Sequence, residues 1–188
     1  TIKLMSQDYF IRGHELSSVT LIGMPGVGKS SIGKQLAKSL NIPFLDTDRC
    51  VEEAIGGEIQ PFLDQHGVEA FKQVESDVIL ELEMKAPRVI ATGGSVVYSE
   101  SVMTFLKSHC VCVFLHDDVS AIEARVHNWS ARGVVGLKSG GLKAVFEERY
   151  PLYCRYADVT VEVGSPFHCD RIVNDALSQL RSLAKGHE

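Results

Sequence analysis

The chain has 188 residues, 45% of them hydrophobic and 23% charged, with a formal net charge of −5. That balance suits one soluble domain with a real core, and no apolar run approaches the roughly 18 residues of a membrane span. No dense Lys/Arg block is present, which argues against a nucleic-acid reader, so neither nucleic acid nor membrane is expected as a partner.

In chain order, residues 1–17 mix charge with scattered apolar side chains and lack the pattern of a secretory signal. They read as an extension ahead of a single domain. The run 19–23 is a short strand, followed by a helix over 29–40 whose Ile32, Leu36, Ala37 and Leu40 share one face. Further strands are expected at 43–46, 88–92, 110–115 and 158–163. Helical patterns cover 47–55, 60–65, 68–85, 100–108, 118–129, 141–157 and 166–185. Strands alternating with helices predict an α/β fold, a five-stranded parallel sheet flanked by helices. Between 129 and 141 four glycines interrupt the rhythm. That segment is expected to be a mobile lid, with an ordinary surface loop as the plainer alternative. The five cysteines, Cys50, Cys110, Cys112, Cys154 and Cys169, form no CxxC and fit reduced thiols in a cytoplasm. The seven histidines show no metal-ligand spacing.

Between the first strand and the first helix stands GMPGVGKS, residues 23–30, a complete G-x-x-x-x-G-K-[ST] in its proper strand–loop–helix setting. Its glycines let backbone N–H groups close on phosphate oxygens, and the helix start adds its positive dipole end. Gly26, Val27, Gly28, Lys29, Ser30 and Ser31 are therefore expected to bind ATP, Lys29 at the β- and γ-phosphates and Ser30 on Mg²⁺. No NKxD follows, so a GTPase is not indicated, and the length suits a small-molecule or nucleotide kinase.

Asp46 and Asp48 leave the second strand's carboxyl end, the crevice side of an open parallel sheet. As i and i+2 strand positions they are expected to face one way, beside the first strand's P-loop. Asp46 would hold a Mg²⁺-bound water opposite Ser30, and Asp48 would orient an acceptor hydroxyl and take its proton. The competing reading is a helix cap by Thr47 or Asp48, aided by Glu52.

Together GMPGVGKSSIGKQLAKSL, FLDTD, GVEAFKQVES, VIATGGSVV, Arg125 with Arg132, and ERYPLYCRYADVTV resemble the shikimate kinase family over residues 21–163. The resemblance implies a P-loop fold of the nucleoside monophosphate kinase type and transfer of the γ-phosphoryl of ATP, with Mg²⁺, to the 3-hydroxyl of shikimate on the route to aromatic amino acids. Both substrates would be small molecules, and a monomer in the cytoplasm that the cysteines suggest is the expectation. Asp48 would grip the reacting hydroxyl, Gly93 and Gly94 would contact shikimate through their backbone, and Arg149 would hold its carboxylate. Arg132 would approach the phosphates from the lid, as a third catalytic group with Lys29 and Asp48, and Arg125 would pack on adenine.

Three departures fall mostly on the acceptor side. Lys72 stands where the family carries arginine and offers a point charge in place of a planar fork, either to the substrate or simply to solvent. Ser95 replaces a third glycine and is expected either to intrude on the acceptor or to touch it. The lid arginine is followed by GVVG rather than Pro-Leu-Leu. A kinase for another small hydroxylated acid therefore stands as an alternative, and a non-catalytic ATP-binding module as a third.

Overall fold

The computed structural model of the protein describes residues 11–12, 15–126, 129, 133–137 and 140–185. A short antiparallel pair, β1 (Ile11–Arg12) and β2 (Glu15–Leu16), precedes the main unit. That unit is a five-stranded parallel sheet built from β3 (Ser18–Ile22), β4 (Phe44–Asp46), β5 (Val89–Ala91), β6 (Cys110–His116) and β7 (Val159–Glu162). The strand order is β4-β5-β3-β6-β7. β3 and β5 are buried throughout and β6 nearly so, as strands covered on both faces must be. At one edge β7 alternates, with Val159 and Val161 inward and Thr160 and Glu162 exposed.

The helices are α1 (Lys29–Leu40), α2 (Thr47–Ile55), α3 (Ile59–Leu80), α4 (Glu100–His109), α5 (Val119–Arg125), α6 (Gly141–Tyr156) and α7 (Cys169–Lys185). α1 buries the expected stripe of Ile32, Leu36, Ala37 and Leu40, each large aliphatic side chain contributing about 1.5–3 kcal/mol. The two helices expected over 60–65 and 68–85 run on as α3 but bend at Gly67, whose φ of 83° departs from the helix. α3 stops at Leu80, α5 ends at Arg125 rather than 129, and α7 begins at Cys169 rather than 166. Cys110 and Cys112 are buried free thiols, as their place in an apolar strand requires. Among the described residues no helix is long and apolar enough to cross a membrane.

β4 is separated from β3 by β5, which pairs with both. The crevice above the sheet is consequently framed by three strand ends: the P-loop after β3, the Gly93–Gly94 turn after β5, and the Asp46–Asp48 corner after β4. Register fixes their level, since Asp46 pairs with Ala91 and Leu21 pairs with Ala91 from the other side.

Candidate active site

A crevice of about 580 Å³ opens over these strand ends and is lined by Lys29, Ser30, Asp48, Gly93, Gly94 and Arg125, among others. Gly28 is the N-cap of α1, with φ at 110° and no side-chain cap, so the first N–H groups of the helix stay available to a ligand. Gly26, Ser30 and Ser31 also line the crevice, whereas the Val27 side chain is buried in the core. Lys29 is 8% exposed and its Nζ donates to the carbonyls of Gly23 and Met24 at 2.7 and 2.9 Å. Burial pulls its pKa down to about 8; Asp48 holds it up and Arg149 lowers it further.

The acidic corner differs from the strand picture. Asp46 is the N-cap of α2 and its Oδ1 accepts from the Asp48 backbone N–H at 3.3 Å. Asp48 sits in the first helical turn, so the two carboxylates are not i and i+2 strand neighbours. The cap is Asp46 and not Thr47 or Asp48; Thr47 Oγ1 instead accepts from Gly93 N–H at 3.2 Å, tying the corner to the glycine turn. Ser30 Oγ donates to Asp46 Oδ2 at 2.7 Å, which joins the P-loop helix to β4 across the intervening strand. Asp48 is exposed to the open crevice yet crowded by protein behind it. That crowding raises its pKa, Lys29 pulls the other way, and Asp46 and Glu52 add to the rise.

Ser95 neither intrudes on the crevice nor touches it: its Oγ donates to Glu75 Oε2 at 2.7 Å. Glu75 is 3% exposed and its Oε1 has no partner among the described residues. A Cβ on Gly93 would lie 2.1 Å from Glu75 Oε1 and 3.0 Å from Asp48 Oδ1, so both oxygens stand within about 5 Å of each other over this glycine. Only a residue without a side chain leaves room there. Sequence reasoning does not single out Glu75. A glutamate on the buried face of α3 is the one signal that could have found it.

Burial pushes the Glu75 carboxyl up to about 7, against the Ser95 hydrogen bond, with Asp48 adding to the rise. The folded chain therefore keeps a proton that the unfolded chain releases above pH 4.5. This stability is fully present below pH 4.5 and is lost as the pH rises through about 7. Relative to Glu75→Gln, the wild type is expected to lose on the order of 3 kcal/mol across that window, read by urea denaturation at several pH values. Parallel stability curves for the two proteins would show that Glu75 does not hold its proton.

Arg149, 1% exposed, lies beneath the glycine turn, with Nη1 2.8 Å from where a Gly94 Cβ would sit. Its Nη2 donates to the Val135 carbonyl at 2.7 Å. Burial opposes its charge, but Tyr153 and Tyr98 outweigh that and raise its pKa. Lys72 does not line the crevice; it faces a neighbouring hollow of about 740 Å³, with Nζ 3.0 Å from Glu69 Oε1. At the other end of the crevice Arg125 Nη2 pairs with buried Asp117 at 2.6 Å. The Arg125 guanidinium lies 5.1 Å from the centroid of Phe167, a crevice residue that no motif marks. In the segment expected as a lid, Gly133 N–H donates to Gln60 Oε1 at 3.0 Å and Val135 is buried with Val51, Ile59 and Phe71. Arg132 lies outside the described residues.

A P-loop with its lysine, a serine and aspartate pair beside it, and a parallel sheet of this order define a P-loop phosphotransferase of the nucleoside monophosphate kinase type. The shikimate kinase family model matches residues 25–181. Shikimate kinase of Paracidovorax citrulli is 40% identical over 147 residues, covering 76% of this chain and 80% of that protein. Shikimate kinase 1 of Yersinia enterocolitica is 37% identical over 171 residues, covering 89% and 98%. The structure of Acinetobacter baumannii shikimate kinase in complex with shikimate superposes with a TM-score of 0.80 at 27% identity, over 89% of this chain and 94% of that one. The chain belongs to the shikimate kinase family.

Proposed function

We propose that this chain transfers the γ-phosphoryl group of ATP to the 3-hydroxyl of shikimate, feeding aromatic amino acid synthesis, as a single kinase domain with residues 129–141 as its lid. The observation that carries the reading is the meeting of Lys29 and Asp48 in one crevice, close enough for each to move the other's pKa. Family membership supports the acceptor.

In this reading the P-loop N–H groups and Lys29 hold the β- and γ-phosphates, and adenine rests at the Arg125–Phe167 end. Asp48 draws the acceptor hydroxyl toward the γ-phosphorus and receives its proton as the new P–O bond forms and the bond to ADP breaks. Arg132 adds a cation from the lid and Arg149 takes the acceptor carboxylate. The unpartnered Glu75 Oε1 meets a ring hydroxyl, since a buried polar oxygen without a hydrogen-bond partner is costly. Mg²⁺ belongs to the proposal. Ser30 Oγ and Asp46 Oδ2, 2.7 Å apart, are two hard oxygens, and Mg²⁺ is ordinarily held by one or two such protein ligands with phosphates and water. When bound, the ion neutralises charge on the β- and γ-oxygens. The same reading makes the enzyme a cytoplasmic monomer.

A coupled ADP-release assay with shikimate, quinate, gluconate or no acceptor tests the proposal, and turnover with shikimate alone is expected. Turnover only with another acid would make the chain a kinase for that acid, and none with any acceptor would leave a nucleotide-binding module. Lys72→Arg is expected to lower KM for shikimate about threefold, because a planar fork replaces a point charge. An unchanged KM would put position 72 outside the acceptor site.

A further inference from the structure

The turn that follows Gly93–Gly94 carries an aromatic side chain that no motif explains. Val96 and Val97 are 1% and 2% exposed and anchor this 3-10 turn (Val96–Tyr98) in the core, which fixes the direction of Tyr98. The Tyr98 hydroxyl accepts from Arg149 Nε at 3.2 Å, and the Arg149 guanidinium carbon lies 5.0 Å from the Tyr98 ring centroid. Lys72 Nζ lies 5.0 Å from the same centroid. Two cations from two helices, α3 and α6, are thus held on one ring, at most 10.0 Å apart. Like charges that close repel, and the ring's negative face offsets part of that cost. The Glu69 partner of Lys72 is 87% exposed, so their ion pair is weak and readily exchanged. Lys72 and Tyr98 also line the neighbouring hollow of about 740 Å³, whose polar wall includes Gln60, Asp64 and Glu148.

We propose that Tyr98 is a positioning residue that sets acceptor specificity, holding Lys72 and Arg149 together as a joint receptor for the acceptor's carboxylate. This deepens the function proposed above and rests on it. A lone ammonium lacks the two-pronged geometry of the arginine it replaces, and Tyr98 compensates by fixing where that ammonium sits relative to Arg149. The hydroxyl fixes one edge of the guanidinium; the ring fixes both heads.

The test compares wild type, Tyr98→Phe and Tyr98→Leu on shikimate and on its neutral carboxamide. Loss of a hydrogen bond to a charged group is expected to raise KM for shikimate about fivefold in Tyr98→Phe. Loss of the ring as well is expected to raise it about thirtyfold in Tyr98→Leu. kcat and KM for ATP stay within about twofold and the carboxamide is little affected, so the preference for acid over amide collapses. Equal losses on acid and amide, a loss confined to kcat or to KM for ATP, or no change would overturn the proposal. Should Tyr98→Leu fail to fold, Tyr98→Phe decides, because it keeps the packing. A wild type that turns over a different acid sinks the shikimate reading alone, and the same comparison with that acid and its amide still decides on Tyr98. If no acceptor is turned over, calorimetric affinities for shikimate and its amide decide, and a wild type without preference for the acid overturns the proposal.

Discussion

Replacing Lys29 with methionine is expected to lower kcat/KM roughly 10³-fold or more, about 4 kcal/mol of transition-state stabilisation. The side chain is buried and bends onto the carbonyls of Gly23 and Met24. In the proposed reading those bonds keep the ammonium at the mouth of the loop until phosphate oxygens replace them. Methionine has similar length and no charge, so the α1 start and the core around Ile32 and Leu36 should survive, and thermal melting without nucleotide should move little. With burial having pulled the lysine's pKa to about 8, wild-type affinity for ATP should weaken as the pH climbs past that value. The methionine variant should lack this limb. Steady-state kinetics and calorimetric nucleotide binding across pH read both effects; activity retained within tenfold would show that the charge is not used.

Asp48→Asn is expected to reduce kcat about 10³-fold while the Kd for ATP changes less than about threefold, as the role proposed for the carboxylate at the acceptor rather than the nucleotide requires. Asparagine keeps the size and the place in the first turn of α2. Because burial and the neighbouring Asp46 and Glu52 raise the Asp48 pKa, the neutral amide is expected to leave stability at neutral pH unchanged or slightly higher. Single-turnover kinetics with saturating acceptor, alongside ATP affinity, separate the two roles. Retained turnover would remove Asp48 from proton transfer. Residual turnover that vanishes in Asp48→Asn with Glu75→Gln would pass part of the role to Glu75, the other carboxylate over Gly93.

Contiguous residues carry the parts of the site that are legible in the sequence. The strand–GMPGVGKS–helix unit is one, with α1 over Lys29–Leu40 as its periodicity requires, and the corner at Asp46 with α2 over Thr47–Ile55 is another. Asp46 is legible as a site residue but not as the cap, because capping depends on backbone angles at the strand end. Lys72 and Ser95 stand out as departures from a pattern, but their surroundings are not readable from it. Ser95 meets a glutamate 20 residues away in sequence, and Lys72 meets Tyr98, which follows the glycine turn.

What the sequence determined alone is the chemistry that short-range order can carry: a phosphate loop, its lysine and serine, two aspartates at a helix start, and the alternation that makes a parallel sheet. The tertiary structure alone decided that β5 lies between the P-loop strand and the aspartate strand. It also decided that Glu75 turns an unpartnered oxygen over Gly93 and that Phe167 closes on Arg125. The physical reason is range. Turn and helix signals act over a few residues, whereas the Arg149–Tyr98 bond joins positions 51 apart and forms only when burial of the core brings their elements together.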